Sequence, residues 1–352
     1  MTMQELFAEA ARLRASDIHV IVGYPPMMRV SGKLRAVAGT QILTPALVED
    51  LIGSVTPANQ KEIFSVNKET DFSLSTVVGR FRVNLYTQKG TTAGAFRLIQ
   101  DRIRSIEDLG LPSVVADFTK LQQGFVLVTG PTGQGKTTTL ASMIQLINES
   151  KPSHIITIED PIEYIYPQGL SIISQREMHE DSLSWNVALR SVLREDPDVV
   201  LIGEMRDFET IQAALTIAET GHLVFATLHT NSAPQTIDRI VDVFPEHQQS
   251  QVRLQLSNVL EGIVSQRLIP ALNGDRIPVC EIMTGTPAVK SIIRDGKTHQ
   301  LDNVIMTSAE FSMTSLETSL AGAVRDGKIS MDIATQYALR PDDLVRLLKR
   351  GA

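Results

Sequence analysis

The stretch GPTGQGKT, from Gly130 to Thr137, is where residue types and spacing point most directly to chemistry. Gly130, Gly135, Lys136 and Thr137 stand where a phosphate-binding loop needs them. Glycines let the backbone wrap closely enough for its N–H groups to face phosphate oxygens. Lys136 is expected to reach the β- and γ-phosphates of ATP, Thr137 to ligate Mg²⁺, and the helix N-terminus to add its dipole. Pro131, Thr132, Gly133, Gln134 and Thr138 complete the expected lining. The apolar run FVLVTG ahead of the loop and a helix from Lys136 behind it supply the required strand–loop–helix setting.

Such a loop binds nucleotide but does not break a bond. Hydrolysis needs carboxylates at neighbouring strand ends, to orient water and to hold Mg²⁺. HIITIEDPIEY sets Glu159, Asp160 and Glu163 just after one expected strand, and VVLIGEMRD sets Glu204 after another. Parallel strands carry such residues to the carboxyl edge where ligands bind open sheets. Glu163 is expected to orient the attacking water, Glu204 to organise Mg²⁺ with Thr137, and Asp160 to be a further ligand. Where most phosphate-loop enzymes end the second strand in Asp, Gly203 stands and Glu204 follows. Strand-end carboxylates also serve as helix N-caps, and that reading stays open for Asp160, Glu163 and Glu204.

TGHLVFATLHTNS places His222 and His229 at opposite ends of one buried strand. His229, beside Thr227 on the carboxyl edge, is placed to sense the γ-phosphate. His222 starts the strand and faces the other edge. A strand-end histidine can equally be satisfied structure.

The elements that must position these residues fall into two halves with a seam near 100–115. The first half carries a helix pattern at Leu6, Ala10 and Leu13, then the strand-like pieces SDIHVIV, PMMRVSG and KLRAV. Two helices follow, each expected to start on a Thr-Pro pair, Thr44-Pro45 and Thr56-Pro57. FRVNLYTQ and TAGAFRLI read as strands joined around Lys89-Gly90, and DRIRSIEDLGLPS as a linker. The second half alternates FVLVTG, HIITIED, VVLIGE and HLVFATLHT with helices, the pattern of a parallel sheet covered on both faces. After about His247 the chain is expected to be mostly helical.

Composition narrows the classes. Apolar residues at 43% and charged residues at 21% fit a folded chain rather than a disordered one. A net charge of -7 gives no electrostatic drive toward nucleic acid. The single cysteine, Cys280, excludes an intrachain disulfide and a multi-cysteine zinc site, and reads as a small buried hydrophobe. Glu5 and Glu9 with no apolar core argue against a secretory leader, and no run approaches the roughly 20 apolar residues of a membrane span. A cytoplasmic chain is expected.

Taken together, the phosphate loop, ITIEDPIEY, LIGEMRD and TGHLVFATLHT resemble the secretion-ATPase superfamily, the hexameric motors of type II secretion and type IV pili. The chain is most similar to the pilus retraction branch behind twitching motility. ASDIHVIVGYPPMMRVSGKL, GRFRVNLYTQKG and KTHQLDNVIMTS extend the likeness over nearly the whole length. With its single cysteine and its start close to the SDIH strand, the chain is expected to lack the tetracysteine segment and extra N-terminal domain of assembly ATPases. The retraction signature AIRNLIRE is matched by AVKSIIRD, Ala288 to Asp295, with Ser291 and Asp295 departing from it. That departure leaves a paralogue with an assembly or accessory role open, and the segment also reads as an ordinary amphipathic surface helix.

The resemblance implies an α/β fold with a PAS-like N-terminal domain over 1–99, a linker over 100–113, a RecA-like ATPase core over 114–285 and a helical region over 286–352. It implies a homohexamer in which ATP lies between the two domains and a neighbour lends arginines. The candidates are Arg80, Arg82, Arg97, Arg194 and Arg206, any of which also reads as a solvated surface residue; His222 is a further candidate contact. It further implies an inner-membrane platform protein as partner, with a paralogous ATPase possible beside it, and peripheral attachment through the pilus machinery. A RecA-like nucleic-acid translocase and a nucleotide-gated regulatory ring are the alternatives. The acidic composition and 5% aromatic content disfavour the first. The intact Lys136, Glu163 and Glu204 disfavour the second.

Overall fold

The computed structural model describes residues 1–30, 32–99 and 103–350. Residue 31, inside the expected PMMRVSG strand, and residues 100–102, within the expected linker, lie outside the described residues. The chain divides into two compact units, Met1–Arg102 with Glu163–Ile165, and Ile103–Ile162 with Tyr166–Ala352.

The first unit opens on α1 (Met3–Leu13), where Thr2 and Glu5 form a capping box and Met3, Leu6, Phe7 and Ala10 make the buried face. There follow β1 (Asp17–Ile21), β2 (Met27–Val30), β3 (Lys33–Ala36), α2 (Pro45–Gly53), α3 (Ala58–Asn67), β4 (Glu69–Thr76), β5 (Gly79–Gln88) and β6 (Thr91–Leu98). The strands pair antiparallel in the order β3-β2-β1-β6-β5-β4. Phe7 anchors the core, its ring centroid 4.3 Å from Phe81 and 5.7 Å from Phe96. Thr44 caps α2 by accepting the Leu47 N–H, as its Thr-Pro pair predicts. The second pair behaves differently. Buried Thr56 donates its hydroxyl back to the Ile52 carbonyl, and Pro57 precedes α3 with no side-chain cap.

The second unit runs α4 (Val114–Phe118), β7 (Gly124–Thr129), α5 (Lys136–Ser150), β8 (His154–Glu159), β9 (Ile172–Glu177), α6 (Trp185–Val192), β10 (Val199–Ile202), α7 (Phe208–Glu219) and β11 (Leu223–Leu228). It continues through α8 (Ala233–Asp242), α9 (Glu246–Val259), β12 (Leu260–Pro270) and β13 (Arg276–Thr284). The chain ends in α10 (Pro287–Arg294), α11 (Leu301–Thr307), α12 (Leu316–Arg325), α13 (Met331–Tyr337) and α14 (Pro341–Arg350). Its sheet has the order β13-β12-β7-β11-β10-β8-β9, parallel throughout except for β13. The central strands β7, β10 and β11 are buried on both faces, and alternate residues go to opposite cores. Phe125 and Leu127 of β7 join the cluster under α6 to α10, while Val126 and Val128 join the one under α4 and α5. Among the described residues no helix is long and apolar enough to cross a membrane.

After His247 the chain is mostly helical, as expected, but β12 and β13 interrupt the helices. LEGIVSQRLIP follows α9 directly, and the periodicity of a short buried strand does not distinguish it from a buried helix segment. Cys280 on β13 is 1% exposed, and burial pushes its thiol up to about 12, so it is the packing residue expected.

Candidate active site

The phosphate loop bridges β7 and α5. Gly130, at φ 142°, faces the backbone of β12 so closely that a Cβ would overlap the Gln266 carbonyl. Gly135, at φ 81°, forms the left-handed N-cap of α5. Pro131, Thr132 and Gly133 are exposed at the loop tip, and Thr137 and Thr138 lie half-buried in the first turn of α5. Lys136 is only 7% exposed. Its Nζ donates to the carbonyls of Gly130 at 2.8 Å and Pro131 at 3.0 Å, which curls the side chain across the loop mouth.

A clamp that the motif did not foretell holds this loop. Buried Gln266 of β12 donates its amide to the Gln134 carbonyl at 2.8 Å and accepts the Thr139 hydroxyl at 2.6 Å. Gln134 answers by accepting the Leu268 N–H at 2.6 Å. The lone sequence signal was a polar Ser265-Gln266-Arg267 interruption in an apolar run. That signal is intelligible only once β12 is known to lie beside β7.

Three strand ends meet at the loop. Lys136 Nζ lies 3.3 Å from His229 Nδ1, and His229 Nε2 lies 3.0 Å from Glu204 Oε1. Lys136 can only donate, so Nδ1 must offer its lone pair; Nε2 then carries the proton and donates to Glu204, a tautomer assigned from the network. Thr132 Oγ1, 3.4 Å from Nδ1, agrees with that assignment. Arg206 donates to the other Glu204 oxygen at 2.8 Å. Partial burial opposes ionisation of Glu204, but the Arg206 hydrogen bond and the neighbouring His229, Arg206 and Lys136 outweigh it and hold the carboxyl below its ordinary range.

Gly203 explains why the acid comes one residue late. A Cβ there would lie 3.2 Å from both Glu159 Cα and the Ile158 carbonyl of β8, so any side chain would press on the neighbouring strand. Thr227 Oγ1 donates to the Gly203 carbonyl at 2.6 Å, tying the end of β11 to the backbone that carries Glu204. Its hydroxyl is thereby engaged in structure. Glu159 is buried and accepts the Thr157 hydroxyl at 2.6 Å, while Asp160 is exposed at the next position. Neither Asp160 nor Glu204 caps a helix: coil follows the first, and Asp207 caps α7 after the second.

The remaining expected residues are distributed elsewhere. His222 lies at the amino edge, about 20 Å along β11 from His229, where its Nδ1 meets Thr220 Oγ1 at 3.0 Å and the Ile217 carbonyl at 3.0 Å. Arg194 is exposed at the same edge, ahead of β10. Neither is brought to the phosphate loop of its own chain. Glu163 is an exposed coil residue grouped with the first unit, whose strands β5 and β6 carry Arg80, Arg82 and Arg97. Arg82 and Arg97 are directly opposed across β5 and β6, a like-charge pairing that costs energy unless anions offset it. Asp17 partners Arg97 at 2.9 Å, and Asp71 lies 4.0 Å from Arg82.

Residues 1–319 match the model of a family described as type II/IV secretion system protein. This chain belongs to that family. Among its members, the chain is 45% identical to a type IV pilus retractation ATPase, PilT, of Pseudomonas aeruginosa, over 97% of this chain and 100% of that one. It is 44% identical to a twitching motility protein of Neisseria gonorrhoeae, over 91% and 86%. A type IV pilus ATPase, PilU, also of P. aeruginosa, is 36% identical, over 100% and 92%. The solved structure of a pilus retraction motor, PilT, with bound ADP superposes with a TM-score of 0.93 at 42% identity, covering 98% of this chain and 99% of that one. The secretion-family fold, an N-terminal α/β domain followed by a P-loop ATPase domain, is therefore the fold of this chain.

Proposed function

We propose that the chain is a Mg²⁺-dependent ATPase whose hydrolysis drives retraction of a type IV pilus, the work behind twitching motility. The observation that carries this reading is the Lys136–His229–Glu204 chain at the phosphate loop, in a protein alike over its whole length to a pilus retraction ATPase. Identity to PilT exceeds identity to PilU of the same organism, 45% against 36%, which supports retraction over an accessory role.

In this reading residues 130–138 cradle the phosphates, with Lys136 turning its ammonium from the loop carbonyls to the β- and γ-oxygens. The Thr137 hydroxyl and the carboxylates of Glu204 and Asp160 are the Mg²⁺ candidates. An all-oxygen donor set with few carboxylates fits Mg²⁺, which takes its other ligands from phosphate and water. The ion when bound would neutralise charge on the transferring phosphoryl group. His229 holds Glu204 in place and registers the state of Lys136, and Glu163 orients the attacking water. Arg80, Arg82 and Arg97 contact nucleotide, with Arg206 shifting from Glu204 as charge develops. Arg194 and His222, at the opposite sheet edge, reach nucleotide only from another copy.

The working form in this proposal is a homohexamer in the cytoplasm, attached peripherally at the inner membrane through a pilus platform protein and possibly joined by a paralogous ATPase. No nucleic-acid partner is expected. ATP turnover in the parent, Lys136→Ala and Glu163→Gln tests the chemistry; unchanged rates in both variants would sink it.

A further inference from the structure

Glu281 of β13 is 1% exposed and stands apart from the strand ends described above. Its Oε1 accepts one hydrogen bond, from the Ala233 N–H at 2.7 Å, and among the described residues its Oε2 has no hydrogen-bond partner. A buried, half-satisfied carboxyl is costly to a fold, and an apolar side chain of similar shape would avoid that cost. The one bond it makes points at the first residue of α8, four positions after His229.

The segment between His229 and α8 is held by few other bonds. Thr230 and Thr236 share a hydroxyl contact at 2.7 Å, and the Asn231 N–H reaches Gln235 Oε1 at 3.3 Å. Ser232 caps the helix at 3.4 Å through the Gln235 N–H. The Ala233–Glu281 bond is the short, buried one that ties this segment to the β12–β13 hairpin.

Behind Glu281 lies a charged network that reaches the C-terminal helices. Glu317 of α12 accepts the N–H groups of Leu339 and Arg340 at 3.0 and 2.9 Å, and Arg340 pairs with Asp302 of α11 at 2.7 Å. Arg267 of β12 donates to the Tyr337 carbonyl at 2.9 Å. Burial pushes the Glu281 carboxyl up to about 7, helped by Asp302 and Glu317 and opposed by the Ala233 N–H and Arg340.

We propose that Glu281 is a positioning residue of the nucleotide site: it fixes the start of α8, and thereby the β11 end carrying Thr227 and His229, against the hairpin and the C-terminal helices. This rests on the ATPase reading above. Glu281 touches no nucleotide; it acts through the backbone that follows His229.

The test is steady-state ATP hydrolysis and ADP binding by the full-length parent, Glu281→Ala and Glu281→Gln. Glu281→Ala is expected to lower kcat about tenfold while changing the ADP Kd less than about threefold, the split of a group acting on the transition state. Glu281→Gln keeps an oxygen for the Ala233 N–H. It should match the parent within about twofold at about pH 6 and lose the parent's change in kcat between about pH 6 and about pH 8.5. Parent-like rates and pH profile in both variants would overturn the inference alone. If Glu281→Ala does not fold, a Glu281→Gln profile of the parent's shape is enough to overturn it. A parent that turns over ATP no faster than Lys136→Ala would overturn the ATPase reading, and this inference with it.

Discussion

His229 Nε2 lies 3.0 Å from Glu204 Oε1, and this contact joins two strand ends that the sequence separates by 25 positions. With Lys136 Nζ 3.3 Å from the other ring nitrogen, the imidazole bridges the lysine and the carboxylate. His229→Ala should therefore lower kcat about 10²-fold while ADP affinity changes only a few-fold, because the loop that binds phosphate stays intact. Turnover and equilibrium nucleotide binding on the same preparation check this; equal losses in both would assign His229 to binding.

Thr227→Val keeps the shape of the β11 end and removes its hydroxyl bond to the Gly203 carbonyl. The carbonyl is left unpaired in a largely buried place, so stability should fall by about 1–3 kcal/mol. Denaturant unfolding measures that loss. Turnover should fall about fivefold beside it, since Glu204 follows directly on the loosened residue.

Gln266→Leu removes both ends of the clamp on the phosphate loop, leaving the Thr139 hydroxyl and the Gln134 carbonyl without it. ADP binding should weaken about tenfold, because the loop must be ordered at the moment of binding. Gln266→Glu can still accept from Thr139 but cannot donate to Gln134, and should fall between the two. Isothermal calorimetry across the three proteins gives the order.

The two glutamates predict opposite pH dependences. Glu281 has a folded pKa raised from 4.5 to about 7, so its contribution to stability is present below the unfolded value and lost as pH rises through about 7. Glu281→Gln should thus gain stability relative to the parent between about pH 5 and about pH 8. Glu204 is depressed instead, so its contribution is present above the unfolded value and lost as pH falls through the folded one. Melting temperatures of Glu281→Gln across that range, and of Glu204→Gln from about pH 6 down to about pH 3, check the two signs.

Much of the second unit was legible because each strand announced itself. FVLVTG, VVLIG and HLVFATL are unbroken apolar runs, and a sheet covered on both faces demands that pattern. β4 was missed because ETDFSLST buries only Thr70 and Phe72, too few apolar residues to stand out. β9 was missed because a sheet-edge strand such as IISQRE needs little apolar character. The hairpin of β12 and β13 lay hidden because β12 follows directly on α9, and with it went Gln266 and Glu281. The phosphate loop, Glu204 and His229 could be named from spacing alone. Their clamps could not, since which strand lies beside β7 is set by tertiary packing. The Thr56-Pro57 pair carried a true capping signature, but its hydroxyl was already engaged by the preceding helix.

The central claim is that this chain spends ATP on pulling a pilus in. The direct measurement is pilus number and surface movement in the producing cell after deletion of the gene, complemented with either the parent or Lys136→Ala. The account predicts heavily piliated cells that do not twitch, restored by the parent and not by Lys136→Ala. Bald cells on deletion, or full restoration by Lys136→Ala, would contradict it.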